Sequence, residues 1–125
     1  KLLKKFFRKK IILIDRFVDS TIAYQHFGFK INLKLINMIN KYLLDDFKVD
    51  FTFLNTVNNK NMNERLKKRK SLNRYDKFNN IFYKNVQKGF LKLAKNNIKK
   101  YLIIDSNLDI KKNEKLVINK VKTLI

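Results

Sequence analysis

Three short apolar runs, Ile11 to Ile14, Val49 to Leu54 and Tyr101 to Ile104, constrain what this chain can fold into more than any other feature. Each is rich in Ile, Val, Phe or Leu and too short for an amphipathic helix, so each reads as a buried strand. Helix-period segments lie between them. Phe17 to Phe27 forms the first, and Leu33 to Phe47 the second, with Leu35, Ile36, Ile39, Leu43 and Phe47 on one face and Asn32 as its N-cap. Asn58 to Lys70 follows with Met62 and Leu66 inward, then a break at Ser71 to Asn73. A longer helix from about Tyr75 to Ala94 spaces Phe78, Phe82, Val86, Phe90 and Leu93 for burial, and a last helix spans about Lys112 to Val121. Strands alternating with helices predict an α/β fold whose parallel strands are joined by right-handed crossovers. In such sheets ligands bind at the carboxyl ends of the strands, here after Ile14, Leu54 and Ile104.

With 125 residues, 45% of them apolar, the chain makes one domain. It has no cysteine and one histidine, His26, which excludes a disulfide framework, a thiolate metal site and a cysteine nucleophile, and fits a reducing compartment. His26 reads as a residue near a helix end, Gly28 as a helix terminator, and Gly89 as a point of close packing within a helix. The net charge of +20 raises a basic nucleic-acid-binding protein as the competing class. Against it, the lysines decorate helices on all sides and no recognition string for nucleic acid occurs. Lysine supplies 25 of the 30 basic residues and asparagine occurs 17 times, the profile of drift toward A/T-rich codons. Arg8, Arg16, Arg65, Arg69 and Arg74 resist that drift, and a planar fork for phosphate is a physical reason to do so. The opening KLLKKFFRKKIILI is too short and too charged to span a bilayer. Lys1 is not a methionine, so the chain is expected to begin inside a longer protein.

The stretch IILIDRFVDSTIAYQ, Ile11 to Gln25, places an acid and an arginine at the carboxyl edge of the first run and then begins a helix. From the pair alone two readings stand. Asp15 caps the helix and Arg16 pairs with a surface carboxylate, or Asp15 holds a magnesium-bound water and Arg16 reaches a phosphate.

The whole string resembles the DR(Y/F/H)xxSxxAYQ segment of thymidylate kinases almost position for position. VDFTFLNTVNNKNMNERLKKR is similar to that family's PDLTxxLDVxxExxLxRxxxR, NRYDKFNNIFYKNVQKGFLKLA to its DRxExExxxFFxxVxxGYLELA, and YLIIDSNLDIKKNEKLVINKV to its closing strand, loop and helix. The resemblance implies a three-layer P-loop nucleoside monophosphate kinase fold with a parallel sheet. That fold is incomplete in residues 1–125, with three of its strands present, a lid at about residues 65–76, and neither the first strand nor the GxxGxGK(S/T) phosphate loop. The family's first strand would lie between the strand ending at Ile14 and the strand ending at Leu54.

The implied activity is transfer of the γ-phosphate of ATP to dTMP, giving dTDP, with Mg²⁺, in the cytoplasm and by a homodimer without nucleic-acid or membrane partners. The isolated chain is expected to be inactive. Carried over by position, Asp15 helps organise Mg²⁺ through water, Arg16 contacts the dTMP phosphate, Thr21 and Gln25 hydrogen-bond thymine, and Tyr24 lies under the deoxyribose. A helix from Phe17 puts Thr21, Tyr24 and Gln25 on one face. Arg69 and Arg74 act from the lid on the transferring phosphoryl group, with Arg65 as helper. Departures from the pattern weaken the lid assignment most: Asn73 stands for an Asp, Asp76 for a Glu, Phe78 for a second Glu, Asn55 for an Asp after the second strand, and Val49 for a Pro.

Overall fold

The structure is a computed structural model; it describes residues 5–7, 9–44, 47–70 and 79–125. Helix α1 (Val18–Thr21) passes without interruption into a π-helical segment (Ile22–Gly28). Then come α2 (Leu33–Leu44), β1 (Thr52–Thr56), α3 (Asn59–Lys67), α4 (Asn80–Asn96), a 3₁₀ turn (Ile98–Lys100), β2 (Tyr101–Asp105) and α5 (Ile110–Lys122). The two strands pair in parallel, Thr52 opposite Tyr101 through Thr56 opposite Asp105. Helices α3 and α4 connect them, and α5 follows the second.

Side-chain oxygens set most of the helix starts. Asn32 accepts from the Lys34 N–H at 2.8 Å, the cap expected from the sequence, and Asn58 accepts from the Asn61 N–H at 2.8 Å. Asn79 accepts from the Phe82 N–H at 2.9 Å, and Asp109 from Lys111 and Lys112 at 2.9 and 3.2 Å. Each satisfies an N–H that the helix itself leaves without a partner. Helix α1 starts at Phe17 with no side-chain cap.

The core lies between the π segment and α4: Ala23, Phe82 and Val86 are buried together, with Tyr24 and Phe90 packed on them. Both glycines of the chain serve this contact. A Cβ on Gly28 would stand 2.6 Å from Phe82, and one on Gly89 would stand 2.5 Å from Phe27. Gly89 therefore permits close packing, as the sequence implied. Gly28 closes the π segment, but the left-handed residue that turns the chain is Lys30, at φ 64°, and not a glycine.

Three expectations need correction. Ile11 to Ile14 does not form a strand: the run is exposed and irregular, with Leu13 88% accessible, so among the described residues the sheet has two strands and not three. A strand needs a paired neighbour for its N–H and C=O groups, and among the described residues no strand pairs with this run. The second strand begins at Thr52 and not Val49, because residues 49–51 precede the paired register. On α2 only Ile36 of the expected apolar face is buried; Leu35, Ile39 and Leu43 are exposed. Helix α4 begins at Asn80, while Tyr75 to Phe78 lie outside the described residues.

Candidate functional site

The turn carrying Asp15 and Arg16 joins the exposed run to α1. Arg16 adopts a left-handed backbone, φ 62°, which costs a non-glycine residue about 1–2 kcal/mol and persists only where the surroundings hold it. Its guanidinium Nη1 donates to the Tyr24 hydroxyl at 3.4 Å, and its Cζ lies 5.7 Å from the centre of the Tyr24 ring. Tyr24 is in turn fixed by edge contacts with Phe82 at 6.1 Å and Phe90 at 6.3 Å. An exposed cation is thus aimed by an aromatic ring rooted in the core.

Asp15 is exposed beside Arg16, following an irregular run and not a strand end. Thr21 closes α1 and is exposed, whereas Gln25 is half-buried in the π segment, where its carbonyl accepts the Ile31 N–H at 2.9 Å. The π geometry changes the expected stacking at α-helical spacing: the Phe29 N–H bonds the Tyr24 carbonyl five residues back, at 2.9 Å. His26 lies in the last turn of that segment, as its place near a helix end implied, with Nδ1 2.9 Å from the Ile31 carbonyl oxygen.

Asp19, in the same string, makes a contact that its sequence position does not announce. The Tyr101 hydroxyl donates to Asp19 Oδ2, tying the first turn of α1 to the start of β2. The Tyr101 phenol is pushed well above its ordinary value, first by burial and then by the hydrogen bond and charge of Asp19, against a smaller opposing effect of the Thr52 hydroxyl.

A second cluster forms at the carboxyl ends of β1 and β2. Arg65, on α3, donates from Nη2 to the Ser106 carbonyl at 2.7 Å. Asn107 accepts from the Asn58 N–H at 3.2 Å and from Asn61 Nδ2 at 2.9 Å, and its own N–H donates to Asp105 Oδ1 at 2.9 Å. Asn113 of α5 donates to the Asp105 carbonyl at 2.9 Å. These bonds frame a cavity of about 520 Å³ lined by Asn55, Arg65, Ile104, Ser106, Asn113 and Glu114, with Leu108, Ile110 and Val117 as its apolar wall. Arg65 is thereby held to the loop after β2. Arg69 lies just beyond α3, exposed, while Arg8 and Arg74, and the lid from residue 71 onward, fall outside the described residues.

Sequence reasoning marked the crevice after Ile104 but missed Asn107 and Asn113, whose one signal is their place just after a buried apolar run. Among the described residues no three acidic or histidine side chains gather to hold a metal ion, and no helix is long and apolar enough to cross a membrane.

Residues 1–117 match the family model described as thymidylate kinase. A thymidylate kinase of Sulfurihydrogenibium sp. is 32% identical over 112 residues, covering 90% of this chain and 54% of that relative. One from Ehrlichia chaffeensis is 41% identical over 90 residues, covering 72% of this chain and 42% of that relative. A crystal structure of thymidylate kinase from Ehrlichia chaffeensis superimposes with a TM-score of 0.68 at 30% identity, over 97% of this chain and 54% of that one. The chain spans about half the length of the curated relatives it matches.

Proposed function

Because the chain belongs to the thymidylate kinase family, we propose that it carries the dTMP-binding side of a kinase that moves the γ-phosphate of ATP to dTMP and releases dTDP. The observation that supports this reading is the Arg16–Tyr24 pair. An exposed guanidinium held at an aromatic ring offers a phosphate two parallel donors and offers a sugar a flat apolar face. Thr21 and Gln25, on the same helical stretch, would read the thymine edge, and Tyr24 would disfavour a ribose 2′-hydroxyl.

Magnesium would be held by Asp15 through water. One exposed carboxylate suits an ion that keeps most of its waters and takes its other ligands from substrate phosphates. When bound, it would neutralise charge on the transferring group. Arg69 and Arg74 would add charge stabilisation from the lid, while Arg65, anchored on Ser106, would shape the second crevice. Homodimer formation and residence in the cytoplasm belong to this reading of the completed protein.

The test is a protein in which this chain is joined to the upstream part of its family, assayed for ADP release with dTMP. Arg16→Ala should lower turnover by a hundredfold or more, as expected where a positioned donor at the phosphoryl group is worth about 3 kcal/mol. Lys84→Ala, at an exposed site on α4, should leave turnover unchanged. Equal losses in the two variants would overturn the assignment of Arg16.

A further inference from the structure

Between Ile11 and Phe29 the chain carries two basic residues, Arg16 and His26, and two carboxylates, Asp15 and Asp19. The His26 ring is turned to the Ile31 carbonyl, so Arg16 is the cation that an acid of this segment would meet. Arg16 and Asp19 lie three positions apart, a stretch of at most about 11 Å even when fully extended, which two flexible side chains can bridge. Opposite charges so placed pair readily, yet each is held instead by a tyrosine. Arg16 Nη1 donates to the Tyr24 hydroxyl at 3.4 Å, and Asp19 Oδ2 accepts from the Tyr101 hydroxyl at 2.5 Å.

The bond to Asp19 comes from outside the segment. Tyr101 opens β2, 82 residues further along the chain, and is half-buried there. Thr52 stands opposite it in the register, and the effect of the Thr52 hydroxyl on the phenol is that of a donor to the phenol oxygen, which leaves the phenol hydrogen for Asp19. An acid in the first turn of a helix usually serves that helix's free N–H groups; α1 has no side-chain cap, and Asp19 bonds to the start of β2 instead.

We propose that Tyr101 is a positioning residue for phosphate recognition: by holding the Asp19 carboxylate at the start of β2, it keeps that carboxylate off Arg16 and leaves the guanidinium open to the substrate phosphate. The inference deepens the assignment of Arg16 to a phosphate and rests on it. A carboxylate and a phosphate use the same paired donors of a guanidinium, so an acid tethered three residues away is a built-in competitor. The charge-assisted bond from Tyr101 removes it. Loss of that bond has a signature of its own. The competitor must be displaced before substrate binds, so KM rises; once dTMP is bound the same groups surround it, so kcat holds.

The experiment uses the joined protein of the preceding test and, independently of turnover, the 125-residue chain. In the joined protein Tyr101→Phe should raise KM for dTMP about tenfold or more while kcat changes by less than about threefold. Asp19→Asn added to Tyr101→Phe should return KM to within about threefold of the parent, because the amide carries no charge. In the 125-residue chain inorganic phosphate is titrated while the Arg16 Nε–H resonance, identified by its loss in Arg16→Lys, is followed by NMR. The midpoint should rise by a similar factor in Tyr101→Phe and return in the double variant. An unchanged KM or phosphate midpoint in Tyr101→Phe, or an Arg16 signal that ignores phosphate in the parent chain, would overturn the proposal. So would a double variant as weak as the single one, since the bond would then serve the fold alone. If the joined parent transfers no phosphate to dTMP while the titration follows the expected pattern, the kinase reading fails and the role of Tyr101 stands.

Discussion

Gly89 lies under the Phe27 ring, where an added methyl would meet Cδ2 at 2.5 Å and Cγ at 2.6 Å. Phe27 Cβ would also stand 2.9 Å away, so turning the ring alone does not clear the contact, and Gly89→Ala should destabilise the chain by about 1–3 kcal/mol despite the better helix propensity of alanine. Urea unfolding of the two proteins checks this; an unchanged midpoint would mean that the helices can part at no cost. The Tyr101 phenol supplies a pH-dependent counterpart. Its folded pKa is raised above the ordinary 10.0 by burial and then by Asp19, so its contribution to stability is complete below pH 10 and is lost as the pH rises further. Lysines titrate in the same range, so the informative quantity is a difference: Tyr101→Phe should show a shallower fall in stability above pH 10 than the parent. If the two curves run parallel, the Asp19 contact contributes nothing to folding.

Among the elements, α4 shows how far sequence periodicity carries. Phe82 and Val86 are buried where the 3.6-residue spacing put them, and β2 occupies the run that apolar composition marked. Such positions are legible because burial against a neighbouring element imposes its period on the sequence. Ile11 to Ile14 has the composition of a strand and remains exposed, because a strand also requires a partner, and its own residues do not encode whether one is present. The π segment was illegible for a related reason: i to i+5 bonding leaves no trace in residue type, yet it sets where Tyr24 and Gln25 lie relative to Thr21. Of the site, the Asp15 to Gln25 string was legible as a string, while the contact of Arg16 with Tyr24 and the Asn107 network depend on side-chain direction. The caps are testable elements in their own right. Asn79→Ala removes the acceptor for the Phe82 N–H at the start of α4 and should cost about 1 kcal/mol in urea unfolding, whereas Asn79→Asp should restore it.

At the scale of the whole molecule, the balance between buried and exposed apolar surface decides how the 125-residue chain behaves alone. Among the described residues the buried apolar ones are Ala23, Ile36, Leu54, Phe82, Val86, Ala94 and Ile104, two of them alanines, and no described large side chain is fully shielded from water. Burial of apolar area is the main favourable term in folding and must offset a backbone entropy cost of about 1–2 kcal/mol per ordered residue. A core this small leaves little net stability, and the unpaired edge of β1 adds backbone groups that the sheet does not satisfy. The same 125 residues hold only two glycines, both engaged at the contact between the π segment and α4, so no glycine-rich loop is available to wrap a triphosphate. We therefore expect the isolated chain to melt broadly when followed by circular dichroism and to show no micromolar binding of ATP by calorimetry. Joining it to an upstream half that carries the strand and the phosphate loop should produce both a sharp transition and ATP binding. A cooperative melt together with micromolar ATP binding by the 125 residues alone would show that the two-stranded sheet is self-sufficient.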